Sequence, residues 1–221
     1  MPSTLVHVAL GGLVGTALLA DEFDARAVAV VLVAAALPDL DSFTALVLAG
    51  SHRALLHNLL LPALVTGALA YDTREWRLQN RLAGSHRSLR PGRLRRRLGD
   101  RGVVLAWAAL AAFVAGGVLP DLFTNGVNVF YPLHDAFYTV DGKLLLSNQR
   151  GIVQTFVDLS PPRPAPSTKD VYYVTGVDPS PGAEPEHVER VFPLARGGWQ
   201  LMLILVSAGV VSARLWVERR R

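Results

Sequence analysis

In its amino-terminal half the chain reads Leu37-Pro38-Asp39-Leu40-Asp41-Ser42 and, shortly afterwards, Ser51-His52-Arg53-Ala54-Leu55-Leu56-His57-Asn58. These two stretches place two carboxylates and two imidazoles close together in otherwise apolar sequence. A lipid-facing surface does not tolerate such groups, and ionisable residues at membrane depth are costly enough to mark functional sites. The sequence therefore indicates that the rest of the chain is organised around a polar site in these stretches.

Hydrophobic residues make up 51% of the 221 residues, and they are grouped into long segments. A helix needs about 20 apolar residues to span a bilayer. Five segments approach this length: Thr4–Ala20, Ala27–Gly50, Ala54–Tyr71, Gly102–Leu119 and Trp199–Trp216. A soluble protein with buried helices is the weaker alternative, because the first, fourth and fifth segments each contain at most one ionisable residue before their ends. The pattern predicts an all-α integral membrane helical bundle of about five transmembrane helices.

A small, β-containing extramembrane segment is predicted before the last helix. The chain then has three parts: a membrane domain that carries the site at 1–132, an extracytoplasmic β-rich segment at 133–198, and the last transmembrane helix with its basic tail at 199–221. Within the middle part, Asp141-Gly142 is a favourable hairpin turn. Four short strands are predicted around and after it: 137–140, 143–146, 151–159 and 171–177.

An Arg-rich loop at 72–102 carries ten Arg against three acidic residues. Nucleic-acid binding is the weaker interpretation of this loop, because interleaved aromatic residues and a recognisable module are missing. The positive-inside rule instead places the loop, and the tail at 219–221, in the cytoplasm. Alternation of the helices then puts the amino terminus of this multi-pass cell membrane protein outside and its carboxyl terminus in the cytoplasm. The expected partners are therefore membrane lipids, and not nucleic acid.

Pro38 is expected to end or kink the second helix, because proline lacks a backbone donor. Asp39 and Asp41 are two residues apart and would point to nearly opposite sides of a regular helix. The two carboxylates can therefore serve one site only if the backbone is locally unwound after Pro38.

Ser51 is predicted to cap a third helix, with His52 in its first turn and with Arg53 and His57 on one face. The predicted topology then brings the polar residues at four helix ends to the same, outer membrane face: His7, Asp39, Asp41, His52, Arg53, His57, Asp121, Thr124 and Asn125. The positive-inside rule was applied only to the Arg-rich loop and tail, and not to these residues. Because it nevertheless brings them to one membrane face, they are predicted to form one cluster.

Neutral imidazoles and carboxylates together form a ligand set that suits zinc, manganese or iron. We therefore expect a divalent metal ion, with zinc or manganese favoured, which would offset the cost of several carboxylates near lipid and activate water. Arg53 is suited to a phosphate or carboxylate oxygen of a substrate. Ordinary structural alternatives exist for His7 at a helix start, for Asp41 as a helix cap and for Asp121 as the cap of a turn with Thr124. The chain has no cysteine, which excludes thiolate metal sites.

These elements resemble the YdjM-like family of membrane-bound, metal-dependent hydrolases. The family's pattern combines an amino-terminal His in a small-residue helix with Pro-Asp-hydrophobic-Asp, His-Arg-Gly-x-Thr-His-Ser and Asp-x-x-Thr…Gly…Pro elements. The corresponding residues are spread over 1–132: His7, Pro38-Asp39-Leu40-Asp41, His52-Arg53 with His57, and Asp121 with Thr124, Gly126 and Pro132. The resemblance implies hydrolase activity and a metal site formed by His7, Asp39, Asp41, His52, His57 and Asp121.

The chain departs from the family's pattern at four positions. Ala54, Leu56 and Asn58 stand where the family usually has Gly, Thr and Ser. Gly117 stands where a His is expected, one turn before Asp121. Without that His, the chain either hydrolyses a substrate with a smaller ligand set or binds metal without turnover.

The leading hypothesis is a membrane-bound metal-dependent hydrolase with its site at the outer face, in which Asp39, Asp41, Arg53 and His57 carry the catalysis. Its substrate would be a small molecule or a lipid, namely a phosphoester or ester of a lipid or envelope molecule. A non-catalytic membrane protein whose cluster binds a cation structurally is the second hypothesis. A transporter is the weakest, because the five predicted helices show no inverted repeat. The sequence does not specify the oligomeric state.

Overall fold

The computed structural model describes residues 2–82, 92–156 and 164–220, and most of the regular structure in them is helical. In these ranges, five helices have twelve or more residues: α1 (Thr4–Leu18), α2 (Ala25–Ala36), α4 (Leu60–Leu82), α5 (Arg93–Ala112) and α7 (Gly198–Glu218). Two helices of four residues each, α3 (Asp41–Thr44) and α6 (Leu119–Leu122), follow α2 and α5 after short irregular turns. The predicted helical bundle is therefore confirmed.

Within the described part of the chain, three stretches of helix are long and apolar enough to cross a bilayer: Ala25–Thr44, Arg95–Leu122 and Gly198–Glu218. The apolar helix α1 is shorter, with 15 residues. Many large apolar side chains on α2 and α7 face outward, including Val33, Leu201 and Met202. Such surfaces are unfavourable in water and suit a hydrocarbon environment, as the sequence predicted.

Helix α1 lies at the centre of the bundle and contacts α2, α5 and α7. Glycine allows these helices to approach closely. A Cβ atom added at Gly11 would lie 2.4 Å from the Ala35 side chain of α2, and one added at Gly116 would lie 2.9 Å from the backbone nitrogen of Gly11. Small residues thus bring the start of α1, the end of α2 and the end of the α5–α6 stretch together.

The backbone is irregular where α2 and α5 end. A 3-10 helix at Leu37–Leu40 joins α2 to α3, and a π-helical stretch at Phe113–Val118 joins α5 to α6. Pro38 lies in the 3-10 helix, where its missing donor ends the α-helical ladder. A 3-10 helix is wound more tightly than an α-helix, so the helix is distorted after Pro38 without the local unwinding that was predicted there. Short π-helical stretches are frequently found at functional sites.

The third long helix begins at Leu60, so the prediction that it begins at Ser51 was wrong. Two features of the fold explain the difference. Arg53 has a φ of 63°, which interrupts a right-handed helix, and the Asp41 carboxylate accepts the backbone N–H of Arg53 at 2.9 Å. The helix starts instead behind Asn58, whose side-chain oxygen accepts the N–H of Leu60 at 3.0 Å.

The Arg-rich loop predicted at 72–102 is largely helical where the structure describes it. Helix α4 extends to Leu82, and α5 begins at Arg93 with a kink at Gly99, whose φ is 69°. Beyond this kink, α5 continues through the apolar segment that was predicted to begin at Gly102. The remainder of the loop, 83–91, lies outside the described residues.

A two-stranded antiparallel sheet precedes the last helix, as predicted. Its strands are β1 (Leu144–Ser147) and β2 (Gly151–Gln154), so the prediction of a hairpin turn at Asp141-Gly142 was wrong. The Ser147 hydroxyl accepts two backbone N–H groups of the observed turn, those of Gln149 and Arg150, at 3.2 Å each.

Two further strand predictions differ from the structure. Residues 137–140 form only an isolated bridge between Tyr138 and Val127, and residues 171–177 contain no strand. The predicted strand at 151–159 is strand β2 up to Gln154, and its residues 157–159 lie outside the described part of the chain.

Candidate metal centre

The predicted cluster is formed by residues from five separate places in the fold. His7 comes from α1, Asp39 from the 3-10 helix, Asp41 from α3 and Asp121 from α6. The irregular backbone between α3 and α4 adds His52, Arg53 and His57. All of them are buried except Asp39, whose side chain keeps 20% of its surface exposed.

His7 is oriented by the π-helical stretch. Its Nδ1 lies 2.7 Å from the carbonyl oxygen of Gly116. Because a carbonyl only accepts, Nδ1 carries the proton and donates it. The opposite ring atom, Nε2, therefore points at two carboxylate oxygens, Asp39 Oδ1 at 3.6 Å and Asp121 Oδ2 at 3.8 Å. This buried Nε2 has no hydrogen-bond partner among the described residues.

His57 repeats this arrangement from the other side. Its Nδ1 lies 2.8 Å from Asp41 Oδ2. Its Nε2 lies 3.1 Å from Asp121 Oδ2 and 3.5 Å from Asp39 Oδ1, without a hydrogen bond to any part of the chain that the structure describes. Two imidazole nitrogens thus face the same two carboxylate oxygens.

The geometry is that of a group able to hold a metal ion. His7, Asp39 and Asp121 each offer one ligand atom, and these three atoms lie within 4.8 Å of one another. The ligand atoms of a tetrahedral zinc ion lie about 3.3 Å apart, since each lies ~2.0–2.1 Å from the ion. Each distance from an imidazole Nε2 to a carboxylate oxygen in the group, 3.1 to 3.8 Å, is close to this value.

Asp39 and Asp121 are themselves held by neighbours through their remaining oxygens. The Thr4 hydroxyl donates to Asp39 Oδ2 in a short hydrogen bond, and the Arg53 Nη2 donates to Asp121 Oδ1 at 2.7 Å. Each carboxylate therefore keeps one oxygen for the imidazoles and uses the other to fix its orientation.

Asp41 and His52, both predicted metal ligands, lie beside this group and contact each other. Asp41 Oδ2 accepts the N–H of Arg53 and faces His57 Nδ1, and Asp41 Oδ1 lies 2.9 Å from His52 Nδ1. Both oxygens of this fully buried carboxylate are thus directed at its protein neighbours.

Arg53 is fully buried. Its Nη2 binds Asp121, whereas Nε and Nη1 have no hydrogen-bond partner within the described ranges. Unsatisfied donors of a buried guanidinium are costly. With three carboxylates and one guanidinium, the cluster has an excess of two negative charges when its imidazoles are neutral.

Tyr173 is a member of the site's surroundings that sequence reasoning missed. The Arg53 guanidinium lies over its ring, 4.6 Å from the centroid, and its hydroxyl donates to the carbonyl oxygen of Asn125 at 2.9 Å. Burial raises the pKa of this hydroxyl, so it stays protonated at neutral pH. The sequence carried no signal of this role, because adjacent tyrosines between valines, Val171-Tyr172-Tyr173-Val174, are ordinary in the strand that was predicted there.

Thr124 and Asn125 were expected at the same membrane face. Among the described residues, their side chains form no hydrogen bond with the side chains of the cluster. The Thr124 hydroxyl donates to the carbonyl of Pro120 at 2.9 Å, and the Asn125 N–H donates to the Asp121 carbonyl at 3.0 Å. They close the turn after α6 and hold Asp121 in place.

Gly117, where a His was expected, lies where α5–α6 touches α2. A Cβ atom there would lie 2.6 Å from Pro38 Cγ and 2.8 Å from the carbonyl oxygen of Ala35. A larger residue does not fit this contact. The three-residue group forms without a ligand from position 117.

A family model described as "YdjM inner membrane protein" matches residues 1–178, which include every residue of the cluster and Tyr173. No curated protein and no solved structure matches the chain.

Proposed function

Because the chain belongs to the family of YdjM inner membrane proteins, we propose that it is a membrane-bound, metal-dependent hydrolase. The observation that carries the proposal is the pair of buried imidazole Nε2 atoms, of His7 and His57, that face two carboxylate oxygens without a hydrogen-bond partner among the described residues. A divalent cation between these four groups satisfies all of them and offsets the excess negative charge of the cluster.

The ion would be held by His7, His57, Asp39 and Asp121. Two nitrogen and two oxygen ligands suit zinc, and manganese accepts the same ligands. Asp41 lies behind His57 as the carboxylate of a carboxylate–histidine–metal arrangement, which fixes the ring and its tautomer. Relative to the ligand set predicted from the sequence, Asp41 and His52 then act as positioning residues.

A bound ion of this kind supplies Lewis-acid activation of water and of the ester. The chain supplies the ligands, the buried surroundings and Arg53, whose two unsatisfied nitrogens favour an anionic ester. A phosphoester is therefore the favoured substrate class. Its hydrolysis forms a P–O bond to the water oxygen, breaks the P–O bond to the alcohol, transfers one water proton to the leaving alkoxide and releases the other.

The membrane orientation belongs to the proposal as well. Arg-rich sequence on α4, α5 and the carboxyl-terminal tail favours the cytoplasm for those ends. The opposite ends of the helices, which carry the cluster, then lie at the outer face of the inner membrane. The amino terminus lies on that outer side, and the carboxyl terminus lies in the cytoplasm.

The first experiment is elemental mass spectrometry of the detergent-purified protein, expressed with zinc and manganese supplied. About one equivalent of metal is expected in the wild type, with a loss of most of it in His7→Ala and His57→Ala. The matched control is His187→Ala, since His187 is exposed and lies outside the cluster. Metal-free wild-type protein that is folded would overturn the proposal.

Hydrolysis is tested on the metal-loaded protein with phosphomonoesters, phosphodiesters and carboxylic esters. We expect turnover of a phosphoester that requires the metal and is lost in His57→Ala. Bound metal without turnover of any ester would favour the second candidate, a non-catalytic protein whose cluster binds a cation structurally. That candidate is motivated by the ion-pair contacts of His57 with three carboxylates, which can also hold the helices together.

A further inference from the structure

A cavity of about 410 Å³ lies beside the metal centre. It is formed by the start of α1, the residues around the 3-10 helix and α3, and the segment 174–196 of the extramembrane region. We call it the groove. This volume is within the range of cavities that bind small molecules.

The groove is largely lined by apolar side chains: Leu5, Leu40, Phe43, Val174, Phe192 and Leu194. Several of them also reach the molecular surface, with Phe43 56% exposed and Leu194 68% exposed. Exposed apolar side chains that converge on one concavity favour a ligand with a hydrocarbon part.

The groove meets the metal centre at Asp39 and His52, which also line it. Asp39 is the member of the proposed ligand set that keeps exposed surface, whereas Asp121 and His7 are 1% exposed. A ligand in the groove therefore approaches the ion from the side of Asp39.

One cation of the groove, Arg196, gives it a preference for an anionic group. The buried guanidinium of Arg53 lies outside the groove lining, behind Asp121, where two of its nitrogens have no hydrogen-bond partner among the described residues. Arginine binds phosphate oxygens through several donors at once. One end of the ligand is thus expected to be a phosphate, while the other end is apolar.

The position of the groove in the fold indicates where such a ligand comes from. Leu40 and Phe43 belong to Ala25–Thr44, one of the stretches able to cross a bilayer, and they lie near its end. At this level a bilayer changes from hydrocarbon to headgroups. A phosphate-bearing amphiphile in the bilayer therefore places its hydrocarbon chain at the depth of the groove and its phosphate at the depth of the metal centre.

We propose that the groove holds a hydrocarbon chain of a lipid phosphoester while its phosphate lies at the metal centre. The inference rests on the proposed hydrolase function and specifies its substrate class as a membrane lipid. The walls at Leu40, Phe43 and Leu194 contact the chain, and Arg196 contacts the headgroup.

The test compares short-chain and long-chain alkyl phosphoesters with the protein in nanodiscs of zwitterionic lipid. Burial of several methylene groups is expected to raise kcat/KM for the long-chain ester at least about tenfold over the short-chain ester. Leu194→Trp fills the groove and is expected to bring this ratio close to one. The matched control Leu133→Trp lies at an exposed leucine outside the groove lining and is expected to keep the ratio.

Metal content identifies Leu194→Trp protein that has kept its cluster, because a misfolded variant loses the ion as well. If such a variant keeps the long-chain preference of the wild type, the inference is overturned. Equal kcat/KM for short and long chains in the wild type also overturns it, although the hydrolase proposal then stands.

A second measurement does not depend on turnover. A long-chain alkylphosphonate, whose P–C bond is not hydrolysed, carries a photoactivatable diazirine in its chain and is cross-linked to the metal-loaded protein, and the modified peptides are identified by mass spectrometry. Labels at Leu40, Phe43, Phe192 or Leu194 support the inference, even where no ester is hydrolysed and the hydrolase proposal fails. Labels confined to the outward surface of α7 overturn it.

Discussion

Asp41 determines the orientation of His57 without joining the group that could hold the ion. Its carboxylate faces the Nδ1 of His57 at 2.8 Å and that of His52 at 2.9 Å. Loss of such a supporting carboxylate typically lowers metal affinity about 10- to 100-fold. We expect Asp41→Asn to bind zinc about 10- to 100-fold more weakly than the wild type, as measured by competition with a chelator.

The control for this variant is Asp141→Asn, because Asp141 is an exposed carboxylate of the extramembrane segment. It is expected to bind zinc with wild-type affinity. Asp39→Asn, which alters a proposed ligand, is expected to lose more affinity than Asp41→Asn. Equal affinities of Asp41→Asn and the wild type would show that Asp41 does not position the ligands.

The members of the cluster were predictable from the sequence, whereas their roles were not. His57 and Asp39 stood out because charged groups are rare in apolar sequence. The division between ligands and supporting residues depends on which way each ring and carboxylate points. In the case of His7, that direction is set by the Gly116 carbonyl, 109 residues away in the chain. Sequence spacing does not contain this information.

The contact between α2 and the π-helical stretch positions two of the proposed ligands, Asp39 and Asp121, relative to each other. Gly117 touches Pro38 and Ala35 so closely that an added Cβ atom would lie 2.6 Å from Pro38 Cγ. Overpacking of such a contact typically costs about 1–3 kcal/mol. We expect Gly117→Ala to separate the turns that carry Asp39 and Asp121, which lowers both the unfolding temperature and the metal affinity.

Gly209→Ala is the matched control, because Gly209 lies in helix α7 and a Cβ atom there meets nothing within 4 Å. Alanine favours helix more than glycine does, so this variant is expected to be as stable as the wild type or more stable. Thermal unfolding in detergent and chelator competition measure both variants. Wild-type values in Gly117→Ala would mean that the contact can relax without moving the cluster.

The long helices were predictable because a bilayer requires long apolar segments. The residues at which these helices begin and end were harder to predict, because contacts with other parts of the fold determine them. The start of α4 moved from Ser51 to Leu60 because Arg53 has a φ of 63°, which interrupts a right-handed helix, and because the Asp41 carboxylate accepts the N–H of Leu56 that a helix starting after Ser51 would otherwise use. Similarly, the sequence predicted a hairpin turn at Asp141-Gly142, whereas the hairpin in the structure turns after Ser147, between β1 and β2.

At the scale of the whole molecule, the cluster lies at one end of the bundle and the Arg-rich parts of α4 and α5 at the other. This separation follows from the chain's order. The cluster residues occur where α2 and α6 finish and before α4 starts, whereas the basic residues occur mainly at the end of α4 and at the start of α5. The positive-inside rule then predicts the side of the membrane from the basic end alone.

That orientation can be measured cleanly because the chain has no cysteine. Asn148→Cys places a thiol on the exposed turn between β1 and β2, and Arg219→Cys places one just after α7. In spheroplasts, a membrane-impermeant maleimide is expected to label Asn148→Cys at once and Arg219→Cys only after permeabilisation. The reverse pattern would place the cluster at the cytoplasmic face, and the proposed lipid substrate would then have to come from the inner leaflet.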